Sequence, residues 1–545
     1  MGSIEIVLAM LLAVVVSGYL VRMLPIALPL PLVQIALGAF IAGVFDQGVV
    51  LQPELFFLLF LPPLLFLDGW RIPKQGLFRD RGAIIELAFG LVVFTVVGAG
   101  FLIHWMIPSV PLAVAFALAA IVSPTDPVAV SSIAARAPIP NRLMHILEGE
   151  SLLNDATGLV CFRFAVAAAL TGSFSVTSAA LTFLWLAIAG IAIGIGVTRA
   201  VAFGQRWLSR HFGEESGSPI LISLLTPFGA YLLAEHAQAS GILAAVAAGI
   251  TMSYVELTGR ALATTRLQRS AVWDMVQFSL NGIMFVLLGE QLPGILRSAI
   301  TAVQQSGHLN PWWLLVFTLA LNAGLALLRF IWVWASLRLT LLRRRSGEGE
   351  TIQQPHWRLI LAMSLAGVRG AITLAGVLTL PLLLPDGTPF PARELVVFLA
   401  AGVILFSLLG ASIGLPRLLS GLTMPADSAL HQDEDRARRS AAGAAIEAIR
   451  HAQQAIEHDP ADAELYANAA ARVIALYQRQ MGEDGNEREV AQLHKADGVQ
   501  RRLRLAGLQA EREHIYRLAR HGEISDEASR KLVREIDLME SRYGG

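Results

Sequence analysis

Apolar residues fill the chain in long blocks separated by short polar clusters, and this pattern stops abruptly after Pro425. A block of about 20 apolar residues spans a hydrocarbon core of about 30 Å at 1.5 Å rise per residue. Thirteen such windows are predicted, at roughly 4–21, 26–45, 53–70, 83–106, 111–135, 143–170, 176–198, 217–235, 239–256, 272–292, 311–337, 359–384 and 394–420. The eighth and ninth are short and are parted only around His236, Ala237 and Gln238. The first carries Glu5 and lacks a basic leader and a small-residue cleavage site, so it is expected to be a span and not a signal peptide. The fold class expected is an all-α polytopic membrane protein, its membrane region at 1–424, followed by a small helical tail at 425–545.

Alternate connections between the windows differ in Lys and Arg. One set holds Arg22; Arg71, Lys74, Arg79 and Arg81; Arg136 and Arg142; Arg199, Arg206 and Arg210; Arg260, Arg266 and Arg269; and Arg338, Arg343, Arg344, Arg345 and Arg358. The other holds only Arg297 and Arg393. Positive charge marks the cytoplasmic side. The N-terminus is therefore expected outside and the C-terminus in the cytoplasm, in a multi-pass protein of the cell inner membrane.

Composition supports this reading. Of 545 residues, 55% are apolar and 15% charged, against about 25% charged in soluble domains. The formal net charge is zero because the charges are segregated along the chain, not because they are absent. A single cysteine, Cys161, excludes an intrachain disulfide. After the polar linker MPADSA at 424–429, helices are expected at about 432–458, 462–481, 487–520 and 525–541, with a turn at Glu483, Asp484, Gly485 and Asn486. The third keeps Leu503, Leu505, Leu508 and Ile515 among many charges, which suits packing on another helix.

Chemistry concentrates between Ser123 and Asp155, where Asp126, Glu150 and Asp155 interrupt apolar sequence. An ionisable group at that depth costs roughly 2.5–3.5 kcal/mol on insertion scales and is retained mainly for function. Pro124 and Pro127 bracket Thr125 and Asp126, and two prolines around that pair are expected to unwind the helix. Unwound backbone at membrane depth must be buried in protein or line a cavity. There its freed carbonyls can meet a cation. Ser151, Asn154 and Asp155 fall at i, i+3 and i+4, on one helical face. Hydroxyl, amide and carboxylate oxygens are hard ligands, and no His/Cys cluster accompanies them. Burial favours the neutral form of a carboxylate, so one so placed can hold a proton or a cation but not both well.

Glu150 points off that face and needs a cationic partner. Arg163 in the same window is too far along the helix, which leaves Arg329 in LALLRFIWVW, with Arg369 in AGVRGAITLAG as the alternative. The latter segment lies seven windows after SPTDP, the spacing expected of inverted repeats with interrupted, crossing helices. Asp68 follows an LPPLLF run and is expected either at a cavity mouth or, as the favoured reading, as an interfacial cap beside Trp70 and Arg71, and His104, His236 and His308 receive no role.

SPTDPVAV at 123–130, GESLLNDATGLV at 149–160 and GVRGAITLAG at 367–376 together resemble the monovalent cation–proton antiporters of the Na+/H+ exchanger type, including the bacterial NhaP-like branch. The resemblance implies a homodimer in which a core domain moves against a dimerisation domain. It implies a monovalent cation site formed by Asp155, Asp126, Ser151 and Thr125 with Asn154 beside them, and an ion pair between Glu150 and an arginine. The Asn154–Asp155 pair resembles the electroneutral, one-for-one members. The function expected is exchange of Na+, K+ or Li+ for H+ in pH and sodium homeostasis. No cofactor, catalytic residue or nucleic-acid partner is expected. A K+/H+ exchanger on the same scaffold is the alternative, and less favoured are a cation channel, for which no filter sequence is visible, and a sensor with the tail as output.

Overall fold

The computed structural model describes residues 2–23, 28–44, 53–72, 74, 81–126, 130, 141–172, 176–212, 217–256, 263–305, 310, 312–345, 357–420, 428–456, 463–481, 487–521, 523 and 526–541. Two compact units are formed, Met1–Leu422 and Thr423–Gly545. Among the described residues the only strand-like pairing is a bridge between Leu383 and Pro389.

The first unit contains α1 (Gly2–Met23), α2 (Leu30–Val44), α3 (Pro53–Arg71), α4 (Arg81–Met106), α5 (Leu112–Val122), α6 (Asn141–Thr171) and α7 (Val176–Phe212). It continues with α8 (Ser218–His236), α9 (Gly241–Glu256), α10 (Ala263–Gln305), α11 (Trp312–Arg345), α12 (Trp357–Leu365), α13 (Ala371–Leu378) and α14 (Arg393–Leu419). Eight of these, α1, α4, α6, α7, α8, α10, α11 and α14, are long and apolar enough to cross a bilayer alone, and α2, α5 and α9 are shorter apolar helices. The chain is thus an all-α polytopic membrane protein. Helices α7, α10 and α11 run well past the apolar windows that predict them, because polar helix formers continue their ends.

The packing repeats itself at the spacing of seven windows. Helices α1 to α4 correspond to α8 to α11, α5 to the α12–α13 pair, and α6 to α14. Helix α2 packs on α10 as α9 packs on α3, and α1 on α10 as α8 on α3. Likewise α4 packs on α5 as α11 on α12, α10 on α14 as α3 on α6, and α4 on α6 as α11 on α14. The two tightest members of this set use the same device. Gly38 lies over the Val286 carbonyl and Gly289 over the Ile35 carbonyl, while Gly69 lies over Val246 and Gly249 over Phe66. In all four cases the carbonyl belongs to the residue three before the partner helix's glycine, and a Cβ would overlap main chain.

Two bundles result. One apolar cluster is built mainly from α4, α5, α6, α11, α12, α13 and α14. Two further clusters are built mainly from α1, α2, α3, α8, α9 and α10. They meet where α6 and α13 face α3, α9 and α10.

Both interrupted segments lie at this meeting. Helix α5 ends at Val122 and the chain unwinds through Ser123–Asp126, ahead of Pro127, which lies outside the described residues together with most of the rest of the window expected at 111–135. Helix α12 ends at Leu365, and Ala366–Gly370 is non-helical before α13. The window expected to reach residue 384 is helical only to Leu378. Pro381 and Pro385 cannot continue a helix, and Gly387 turns the chain back at φ +81° so that Leu383 can pair with Pro389.

The second unit holds α15 (Ser428–Ile456), α16 (Ala463–Met481), α17 (Glu487–Arg520) and α18 (Asp526–Ser541), with α15 packed on α16 and α17 on α18. Ile515, Val533 and Ile536 are buried at the α17–α18 contact with Leu508 against them, and Arg512 reaches Asp537 at 3.2 Å. Four residues of the expected linker, 424–427, and the expected turn at Glu483–Asn486 lie outside the described residues, as does His308.

Candidate ion-binding site

The unwound Ser123–Asp126 segment is held by three kinds of contact. The Asp126 N–H donates to the Val368 carbonyl at 2.7 Å, tying one helix break to the other. The Ser123 hydroxyl donates to the Val92 carbonyl at 3.4 Å, just beyond a π-helical turn at Glu86–Leu91 of α4. Thr125 Oγ1 donates to Glu150 Oε1 at 3.2 Å and accepts from Asn154 Nδ2 at 3.0 Å. The break therefore belongs to a buried network that reaches α6.

Glu150 is 1% exposed. Arg329 of α11 meets it with two parallel bonds, Nη1 to Oε1 at 2.5 Å and Nη2 to Oε2 at 2.7 Å, and its Nε donates to the Met363 carbonyl at 3.0 Å. This fork geometry satisfies both charges, without which burial of either would be costly. Arg369, the alternative partner, has another role. Its Nε donates to the Val122 carbonyl at 2.9 Å, its Nη1 donates to the Gly367 carbonyl, and its N–H donates to Ser407 Oγ at 3.1 Å. A guanidinium thus sits at the carbonyl end of α5 and beside the end of α12, where helix termini carry partial negative charge.

On α6, Ser151, Asn154 and Asp155 are all buried. Their shared face follows from the 3.6-residue repeat. Among the described residues Asn154 Oδ1 is buried with no hydrogen-bond partner, since its Nδ2 is the atom turned to Thr125. Asp155 and Asp126 lie close enough to interact electrostatically. The carboxylate of Asp126 rests where a Gly370 side chain would otherwise stand, at the N-terminal end of α13. Backbone N–H groups at such an end favour negative charge.

Asp68 departs from the favoured expectation of an interfacial cap. It lies within the last turn of α3, half-buried, and interacts electrostatically with Asp126, Asp155, Glu148 and, to a lesser degree, Arg71. The hydrogen bonds of its neighbours go to other residues. Trp70 Nε1 donates to Glu256 at 2.7 Å, and Arg71 reaches Asp274 at 2.5 Å and Gln277 at 2.8 Å. Helix α3 packs on α6 and α13, which aims this acid toward the same gap as Asp126 and Asp155. The signal was its place inside an apolar window, the same argument that singles out the other acids. Among the described residues no three His, Cys, Asp or Glu side chains converge as a metal-holding cluster.

The arrangement thus has two interrupted helices joined at their breaks, a neutralised Glu–Arg pair, and a carboxylate whose neighbours are oxygen donors. It is suited to holding one small cation or one proton between two bundles. Comparison with known proteins gives the same class. The family model described as "Sodium/hydrogen exchanger, transmembrane" matches residues 9–421. The chain is 44% identical over 542 residues to an uncharacterized Na+/H+ exchanger of Escherichia coli K12, YjcE, covering 98% of each. It is 38% identical over 545 residues to a sodium, potassium, lithium and rubidium/H+ antiporter of Bacillus subtilis, covering 99% of this chain and 78% of that one. The solved structure of the sodium proton antiporter MjNhaP1 of Methanocaldococcus jannaschii superposes with a TM-score of 0.58 at 18% identity, covering 77% of this chain and 99% of that one, a likeness of fold. The chain belongs to the sodium/hydrogen exchanger family of cation/proton antiporters.

Proposed function

We propose that Asp155 is the carboxylate that trades a proton for a monovalent cation, with Asp126, Ser151, Thr125 and Asn154 around it and Asp68 adding negative charge at the approach. The observation that carries this is the buried Asn154 Oδ1 without a protein partner beside Asp155, an oxygen left for a ligand in a place where leaving one unmade costs about 1–3 kcal/mol. One titrating carboxylate with an asparagine beside it supports one proton per cation, hence electroneutral exchange. Glu150 and Arg329 brace the site, and Arg369 neutralises the helix ends at the crossing.

Na+ is the favoured substrate, with K+ and Li+ as further candidates. The Bacillus subtilis relative is named for sodium, potassium, lithium and rubidium, which supports a broad cation range. A channel reading has no specific observation in its favour. The Lys and Arg asymmetry supports an outward N-terminus and a cytoplasmic tail in the inner membrane. The exposed apolar face of α1, which includes Leu8, Leu12 and Val15, suits lipid or a second copy in a homodimer. The deciding experiment is dequenching of a pH dye in everted vesicles with Na+, Li+ and K+ compared. Asp155→Asn should abolish the response, and wild-type exchange by that variant would remove Asp155 from the role.

A further inference from the structure

Arg163 and Glu235 stand away from the ion site yet join the two bundles that enclose it. Arg163 lies on α6, about 12 Å along the axis from Asp155 at 1.5 Å per residue. Glu235 lies at the end of α8, and the two charges approach to 3.7 Å. Glu235 is anchored in its own bundle. Its Oε1 accepts the Gly241 N–H at 3.3 Å, and its main-chain carbonyl accepts from Gln238 N–H at 3.0 Å. Tyr231, one turn earlier, fills the place a Gly241 side chain would take and interacts electrostatically with both charges. Arg163 by contrast rides on the helix that carries Asp155.

The gap between the bundles is not alike on its two sides. Toward the start of α6 it is bordered by half-buried acids, Glu148 and Asp68. Toward Arg163 and Glu235 it is lined by part of an apolar cluster, including Phe60 and Leu64 of α3, Ala156 of α6 and Leu243 of α9, which also reaches Leu152 of α6. The ion pair thus lies beside an apolar part of the gap. An exchanger must expose its site to each side in turn, largely by moving one bundle against the other, and moving α6 relative to the α8–α9 turn parts Arg163 from Glu235.

We propose that Arg163 and Glu235 are positioning residues that hold Asp155 turned away from the α8–α9 side, and that their contact opens once in every exchange cycle. This rests on the reading of Asp155 as the exchanging carboxylate. The pair is partly exposed, at 60% and 35%, so it biases the equilibrium without locking it.

Two experiments test it. In a Cys161→Ser background, Arg163→Cys and Glu235→Cys are joined by a reducible bis-methanethiosulfonate in proteoliposomes. Exchange should fall at least tenfold on cross-linking and return on reduction. Cross-linked protein that exchanges at the reduced rate overturns the proposal and leaves antiport at Asp155 standing, and so does failure of the two thiols to cross-link. Reduced protein and wild type that both fail to exchange overturn the antiport reading and this proposal with it. In oriented vesicles, Glu235→Gln should lower the cation KM on the α8–α9 side about two- to fivefold, the range an exposed pair contributes, while kcat and the opposite KM stay nearly constant. The reversed pair Arg163→Glu with Glu235→Arg should restore the wild-type KM. Equal loss on both sides, without rescue, would mark a merely structural contact and overturn the proposal.

Discussion

The N–H of Asp126 donates to the carbonyl of Val368 at 2.7 Å, so two helix breaks, far apart in the chain, satisfy one another. An interrupted helix in a bilayer leaves polar backbone that lipid cannot solvate. Pairing the breaks removes part of that cost, and it places the Asp126 carboxylate against Gly370.

That placement predicts the effect of a single methyl group. Gly370→Ala puts a Cβ where Asp126 Oδ2 stands, so either the carboxylate or α13 must shift. Exchange should fall at least tenfold in the vesicle dye assay, with the variant still inserted and expressed. Wild-type activity would mean that the carboxylate can leave Gly370 without consequence.

The Glu150–Arg329 pair predicts a stability effect with little ambiguity of sign. Removing one partner of a buried pair typically costs about 3–5 kcal/mol because the other charge is stranded. Glu150→Gln and Arg329→Gln should each lower the thermal midpoint in detergent sharply. The charge-reversed pair Glu150→Arg with Arg329→Glu should recover part of the loss. No recovery at all would mean that the carbonyl of Met363 and the hydroxyl of Thr125, and not the paired charge, fix the geometry.

With Asp155 as the proposed exchanging carboxylate, competition there sets the pH dependence. A proton and a cation that share one carboxylate exclude each other. As pH falls below the site's own pKa, the protonated fraction rises and the apparent cation KM should rise about tenfold per pH unit. At higher pH, KM should level off. Measured KM values that stay flat across the acidic limb would argue for separate proton and cation sites.

In the proposed site Asp68 adds field rather than a ligand. At an effective dielectric of about 20, a unit charge about 10 Å away contributes on the order of 1–2 kcal/mol, less where water screens it. Asp68→Asn should therefore raise the cation KM about three- to tenfold with kcat nearly unchanged. It should also shift proton competition to lower pH, because the same negative charge attracts both. Loss of kcat instead would make Asp68 part of the exchange step.

Much of this was legible in the sequence because membrane burial turns polarity into information. Asp126, Asp155 and the SPTDP prolines stand out against apolar neighbours, and a buried Glu150 requires a cation that the apolar windows offer in few places. For Asp68 the sequence favours an interfacial cap over a place at a cavity mouth because its nearest neighbours, Trp70 and Arg71, look like an interface. Only the packing of α3 on α6 and α13 reveals which way an acid at a helix end points. Arg369 could not be assigned from sequence either, since its acceptors include Val122 O and Gly367 O, and every residue type carries a carbonyl. The end of α13 at Leu378 needed the return pairing of Leu383 with Pro389 to become visible.

The four reciprocal glycines have a mechanical consequence. Where Gly38 and Gly289, or Gly69 and Gly249, bring helices together, main chain rests on main chain. No rotamer lies between them to soften the contact, and a close-packed interior yields little. The bundle of α1, α2, α3, α8, α9 and α10 is thereby stiff at its α2–α10 and α3–α9 contacts, a rigid wall against which α6 and its carboxylate are packed.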